Sequence, residues 1–190
     1  MSRVSARRVR TDERGFMLVE IAVGASLILI GLVGLMSVLA SSRDLVSLSE
    51  HRETALNRAQ LEIERVRAYN YTYLALASAP GPSADPLDPD YHVKGGATPR
   101  YRPEHLATSN TYEDLVISAT TCAGTPSPCP ALEETYADGN VTGEVHRYVT
   151  WSDADGDGTN DMKRVTVAVT VDQQEDKRPV TMSTLFRADS

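Results

Sequence analysis

The sequence lacks any catalytic signature. No Gly-x-Ser-x-Gly, no His-Glu-x-x-His and no phosphate-binding glycine loop occurs in its 190 residues. The four histidines, His51, His92, His105 and His146, are far apart in the chain, and each reads as a surface or packing residue. No nucleophile–base set is visible, so no enzyme activity is expected. Positive charge is also scarce, with 19 Lys and Arg against 26 Asp and Glu, a net charge of −7. That balance argues against nucleic-acid binding through a general basic patch. No proline precedes Pro80, so nothing of that kind interrupts a helix in the first part of the chain. Cysteine is limited to Cys122 and Cys129, without a nearby histidine, which makes a poor zinc site.

What is present begins at the N-terminus. A basic segment from Arg3 to Arg14 ends in Gly15. An apolar stretch follows at once, from Phe16 to Ala40, and its fifth residue is Glu20. A carboxylate inside a bilayer costs about 2–3 kcal/mol even on lenient insertion scales. A residue that costly points to a function. The run Arg14-Gly15-Phe16-Met17-Leu18-Val19-Glu20 resembles the class III signal of type IV prepilins and of the pseudopilins of type II secretion.

The resemblance covers about the first quarter of the chain. It implies that prepilin peptidase cuts after Gly15 and methylates the new amine of Phe16. It implies that Glu20 helps dock the subunit onto sister pilin or pseudopilin subunits through the N-terminal helix. It also implies a pilin-like fold. Many major pilins carry a proline in the membrane half of the helix, whereas this chain has Gly24, Gly31 and Gly34. The expected role is therefore a minor type IV pilin. The alternatives are a pseudopilin of a secretion or DNA-uptake system, and a membrane-anchored calcium-dependent adhesin.

An ordinary secretory signal fits less well, because its apolar core is only about 7–15 residues long. A plain signal anchor would span the bilayer equally well, since about 20 apolar residues suffice. It gives no reason for Glu20 or for glycine at the boundary. Residues 1–15 carry five arginines against Asp12 and Glu13, a net +3, which leaves −10 for the remainder. Positive-inside bias then places the N-terminus in the cytoplasm and the C-terminal domain outside. Residence in the lipid of the cytoplasmic membrane would precede assembly into a surface or periplasmic filament.

The fold class expected is α+β: a long helix packed on a small antiparallel sheet. The segments are a leader at 1–15, a membrane or filament-core helix at 16–40, an amphipathic half with its exit at 41–77, a Pro- and Gly-rich connection at 78–110 and a sheet domain at 111–190. Leu45, Leu48, Leu56, Ala59, Ile63 and Val66 recur at helical spacing, which extends one helix from Phe16 to about Tyr69. Glu62 is placed on its polar side, paired with Arg58 and Arg65. Tyr69, Tyr71 and Tyr73 are expected at the helix–sheet boundary. Strands are expected at Thr111–Thr120, Val145–Trp151, Val165–Val171 and Val180–Phe186, the third from its clean valine alternation.

Two further sites stand out. Cys122 and Cys129 flank a Pro- and Gly-rich loop, and outside the membrane a disulfide is permitted. Free buried thiols are the alternative. Asp153, Asp155 and Asp157, spaced by two, are followed by Gly158, Thr159 and Asp161. These supply oxygens at positions 1, 3, 5, 7 and 9 of a calcium loop, with Thr159 offering its carbonyl. Position 12 is Arg164 rather than a bidentate glutamate, and the flanks read as strands, so this is no EF-hand. It resembles the aspartate-rich calcium loops of thrombospondin type 3 repeats. Crowded carboxylates repel unless something neutralises them. A solvated acidic hairpin loop is the alternative.

Overall fold

The computed structural model describes residues 13–103, 111–153, 160–173 and 178–188. The chain divides into two compact units, one ending at Ser47 and one beginning at Leu48. Helix α1, Glu13–Arg67, contributes to both. It already includes Glu13–Gly15 rather than starting at Phe16, since a single glycine costs only about 1 kcal/mol in a helix and does not stop one.

In the first unit α1 is apolar on all sides from Leu18 to Ala40 apart from Glu20. Leu18, Ile21, Ile28, Ile30, Val33 and Met36 are each more than half exposed. The polar hydroxyls in this stretch turn inward on their own backbone. Ser26 Oγ donates to the Ala22 carbonyl at 2.8 Å, and Ser41 Oγ to Ser37 at 3.1 Å. That satisfies them without water, as a helix in lipid requires. Among the described residues, one helix is long and apolar enough to cross a membrane, with a mean hydropathy of 2.4.

The second unit is built on a four-stranded antiparallel meander, β4 (Glu133–Asp138), β5 (Val141–Ser152), β6 (Met162–Val169) and β7 (Val180–Arg187), in that spatial order. The alternating valines of β6 place Val165 opposite Val149 and Val169 opposite Val145. Successive side chains of a strand point to opposite faces. Hence Val145, Arg147 and Val149 lie on the face toward α1, where Arg147 meets Glu62. His146, Tyr148 and Thr150 lie on the other. Val145, Tyr148, Val149 and Thr150 are all 0% exposed, because the central strand is covered on both faces.

One cover is the second part of α1. Ala55, Ala59, Ile63 and Val66 are buried. Leu56 is 44% exposed and Leu48 40%, so the buried stripe is rotated from the one the leucines suggest. Glu62 is also 1% exposed, in the middle of the buried face and not on the polar side. Its helical ion pairs do form, with Arg58 at 2.9 Å and Arg65 at 3.1 Å. Tyr69 and Tyr71 pack against the core at the helix exit, whereas Tyr73 is largely exposed.

The other cover comes from the connection, which is less irregular than its prolines suggest. It holds a 3-10 turn at Pro89–His92, then β1 (Val93–Lys94) and β2 (Arg100–Tyr101). With β3 (Glu113–Asp114) these form a small antiparallel sheet in the order β1-β2-β3. The strand expected at Thr111–Thr120 is therefore two residues long, continued by single bridges from Leu115 to Thr150 and from Ile117 to Leu76. Tyr101 stacks on Tyr148 at 3.9 Å between centroids, which ties this layer to β5.

The hairpin β4–β5 turns at Gly139, whose φ of 58° favours glycine. Further along, Gly143 sits opposite Tyr136. A Cβ there would lie 2.0 Å from the Thr170 carbonyl oxygen and 2.8 Å from the Tyr136 ring. The missing side chain lets the tyrosine lie flat on the strand and donate to that same carbonyl at 3.0 Å.

Candidate functional site

Glu20 is exposed on α1 among Val19, Ile21 and Val23, with no other charged residue between it and Arg43 toward the C-terminus. Gly15 and Phe16 lie in the first two turns of the same helix. The backbone thus carries the boundary and the carboxylate on one continuous element, with Glu20 just over one turn beyond Phe16.

The aspartate loop closes the β5–β6 hairpin, whose last ladder pair is Ser152 and Met162. Asp153 and Asp161 are the first and last loop residues, so the register brings the two ends of the motif together. Asp155, Asp157 and Thr159 lie outside the described residues. The Asp161 carboxylate has a buried Oδ1 with no hydrogen-bond partner. Burial, followed by the nearby Asp161 charge, pushes the Tyr71 hydroxyl up. Lys163, two residues on, is buried too. Its Nζ donates to the Tyr71 carbonyl at 2.9 Å and lies 4.4 Å from the Tyr71 ring centroid, and burial pulls its pKa down.

Cys122 and Cys129 form a disulfide with a Cα–Cα distance of 5.2 Å. Both are buried, so the short loop is stapled onto the core beside the helix exit. Closing a loop this short contributes about 2–3 kcal/mol on the chain-entropy account.

Two charged clusters escape sequence reading. The first is Glu62 with Arg147, which donates to Glu62 Oε2 from Nη2 at 2.6 Å and from Nε at 3.2 Å. The same Nη2 donates to Glu134 at 2.6 Å, and Nη1 to the Ala131 carbonyl at 3.1 Å. The bond from Arg147 holds the Glu134 carboxyl below its ordinary value, against the upward push of partial burial. This cluster joins helix to sheet and is structural. The second gathers Asp90, Glu133, Glu144 and His146 around a cavity of about 340 Å³. Burial alone would lower the His146 pKa, but Asp90, Glu133 and Glu144 outweigh it and hold it above the ordinary imidazole value. Of the other histidines, His51 is half-buried on α1 and His92 ends the 3-10 turn, while His105 lies outside the described residues.

Fold and site together define an α+β protein with one membrane-length helix. Neither a family model, nor a curated protein, nor a solved structure matches this chain.

Proposed function

We propose that the chain is a minor subunit of a type IV pilus-like filament. The observation that carries this reading is Glu20, five residues past Gly15 and the lone carboxylate of the apolar stretch from Phe16 to Ala40. In lipid that carboxylate is costly, and so is a free N-terminal ammonium. Cleavage after Gly15 by prepilin peptidase creates such an ammonium on Phe16. Pairing Glu20 of one subunit with the Phe16 amine of a neighbour removes both unpaired charges from lipid. Apolar helix packing supplies the rest, with Gly24, Gly31 and Gly34 allowing close approach because they carry no side chain.

Before assembly the subunit sits in the cytoplasmic membrane as a single-pass protein, N-terminus inward and the sheet unit outside. The disulfide is consistent with that oxidising side. The same helix would serve a pseudopilin of a secretion or DNA-uptake system. The aspartate loop favours a calcium ion held by Asp153, Asp155, Asp157, Asp161 and the Thr159 carbonyl, since the buried Asp161 Oδ1 has no hydrogen-bond partner and a cation there would satisfy it. An anchored adhesin that never polymerises would share that loop but needs no Glu20.

Glu20→Ala tests the reading. The variant inserts into the membrane as the parent does, because its segment is more apolar. Its incorporation into sheared filaments falls. Incorporation at the parental level would contradict the ion-pair role.

A further inference from the structure

On the face of the sheet away from α1, the ladder creates a second arrangement of ligating groups. Glu133 on β4 sits directly opposite His146 on β5. Glu144 lies two residues before His146, on the same face of the same strand. One ligand atom from each of the three falls within 4.8 Å of the others. Asp90 approaches from the 3-10 turn, whose start is fixed by the Asp88 carboxylate accepting from the Asp90 amide at 2.8 Å. Tyr148 donates its hydroxyl to Asp90 Oδ1, which anchors that carboxylate.

The imidazole is the informative group. His146 is 5% exposed, yet neither ring nitrogen has a hydrogen-bond partner. Nδ1 lies 3.8 Å from Asp90 Oδ1 and Nε2 3.6 Å from Glu144 Oε2. Both distances exceed a hydrogen bond. A buried polar atom left unmatched costs about 1–3 kcal/mol. The Nε2–carboxylate separation is close to that of two ligands on one ion: with bonds of about 2.0–2.1 Å, tetrahedral ligand atoms stand about 3.3 Å apart. On the other nitrogen, Asp90 is the nearby carboxylate, at 3.8 Å, and would orient a metal-bound His146 once that gap closes to a hydrogen bond.

We propose that Glu133, Glu144 and His146 bind one divalent first-row transition-metal ion of the zinc type, with Asp90 as the positioning residue behind the imidazole. One imidazole with two carboxylates is a mixed nitrogen and oxygen set, which suits zinc better than calcium or magnesium. The carboxylates of Asp85, Asp88, Asp90 and Asp172 that line the same cavity also make it attractive to a cation. The ion would bridge β4 to β5 and, through Asp90, fasten the proline-rich connection to the sheet. The site is separate from the aspartate loop, and its test does not depend on filament assembly.

The test is zinc titration of the untagged full-length protein in detergent micelles after chelator treatment, followed by competition with a chromophoric chelator. The expected result is one tightly held Zn2+ per chain, not displaced by millimolar calcium or magnesium. His146→Ala should lose that binding. Glu144→Gln alters a side chain that is 45% exposed, so it should fold normally and bind zinc at least about tenfold more weakly. Asp90→Asn should weaken it about 10–100-fold, as loss of an orienting carboxylate does. No binding at 100-micromolar zinc (a concentration set by the test), binding undiminished in Glu144→Gln and His146→Ala, or displacement by calcium would each overturn the proposal. In the last two cases the zinc sits elsewhere or the site prefers a hard cation; in the first, His146 is an imidazolium between carboxylates.

Discussion

The Arg147 guanidinium meets the Glu62 carboxylate at 2.6 Å, with side chains only 2% and 1% exposed. One lies on the central strand and the other in the middle of the buried helix face, 85 residues apart in sequence. Arg58 and Arg65 complete the shell of Glu62, so its charge is matched on every side.

Removing Glu62 leaves the buried Arg147 with only the part-exposed Glu134 as counter-charge, and breaking a buried pair costs about 3–5 kcal/mol. Glu62→Ala should lower the unfolding free energy of the sheet unit by an amount in that range, measured by chemical denaturation in detergent. Glu64→Ala, which removes only an exposed pair with Arg67, should change it by less than about 1 kcal/mol. Replacing Glu62 and Arg147 together by methionine should recover most of the loss, because well-packed apolar groups substitute for a buried pair. Equal effects of Glu62→Ala and Glu64→Ala would contradict the assignment.

The same cluster sets an acid dependence. Arg147 holds the Glu134 carboxyl below its ordinary value of 4.5. A group with a depressed folded pKa binds fewer protons in the folded than in the unfolded chain. Its contribution is complete above the ordinary value and is lost as pH falls through the folded value. The stability difference between the parent and Glu134→Gln should therefore be constant from pH 7 to about 5 and shrink below about 4.5. The check is the unfolding midpoint of both proteins across that range. A difference that grows toward acid would contradict the sign.

The proposed calcium site in the aspartate loop makes a thermal prediction. Calcium at a hundredfold excess over Kd should stabilise the full chain by about 2.7 kcal/mol, read as a higher Tm than in chelator. Magnesium should do less, because it demands octahedral geometry and keeps its waters. Asp153→Ala or Asp161→Ala should abolish the calcium shift. A Tm unaffected by millimolar calcium, with no binding heat, would leave a solvated acidic loop.

Periodicity made the helix and parts of the later strands legible. In β6 Val165, Val167 and Val169 alternate with Thr166 and Ala168, while Lys163 and Arg164 hide its start, and the edge strand β7 alternates in burial from Ser183 to Arg187. β4 does not, because Glu133, Glu134 and Asp138 are charged and only Tyr136 is buried. Charge of that kind protects an edge strand from pairing with another chain, and it hides the strand from a hydrophobic pattern. The helix stripe was legible at Ala59, Ile63 and Val66 but not at Glu62. A glutamate reads as polar until its partner is known, and Arg147 is contributed by a strand far along the chain. His146 is hidden for the same reason: its neighbours Glu133 and Asp90 come from β4 and a proline-rich turn. The disulfide needed only local spacing. Gly15, Phe16 and Glu20 form a purely local pattern as well, and the role proposed for them rests on chemistry outside the folded unit.

The central claim is that this chain is a processed filament subunit, and its N-terminus decides it. Protein isolated from its native membrane should begin at Phe16 and carry an N-methyl group, read by intact mass and N-terminal sequencing. A chain that still begins within residues 1–15, or one cut after Ala40, would contradict the account.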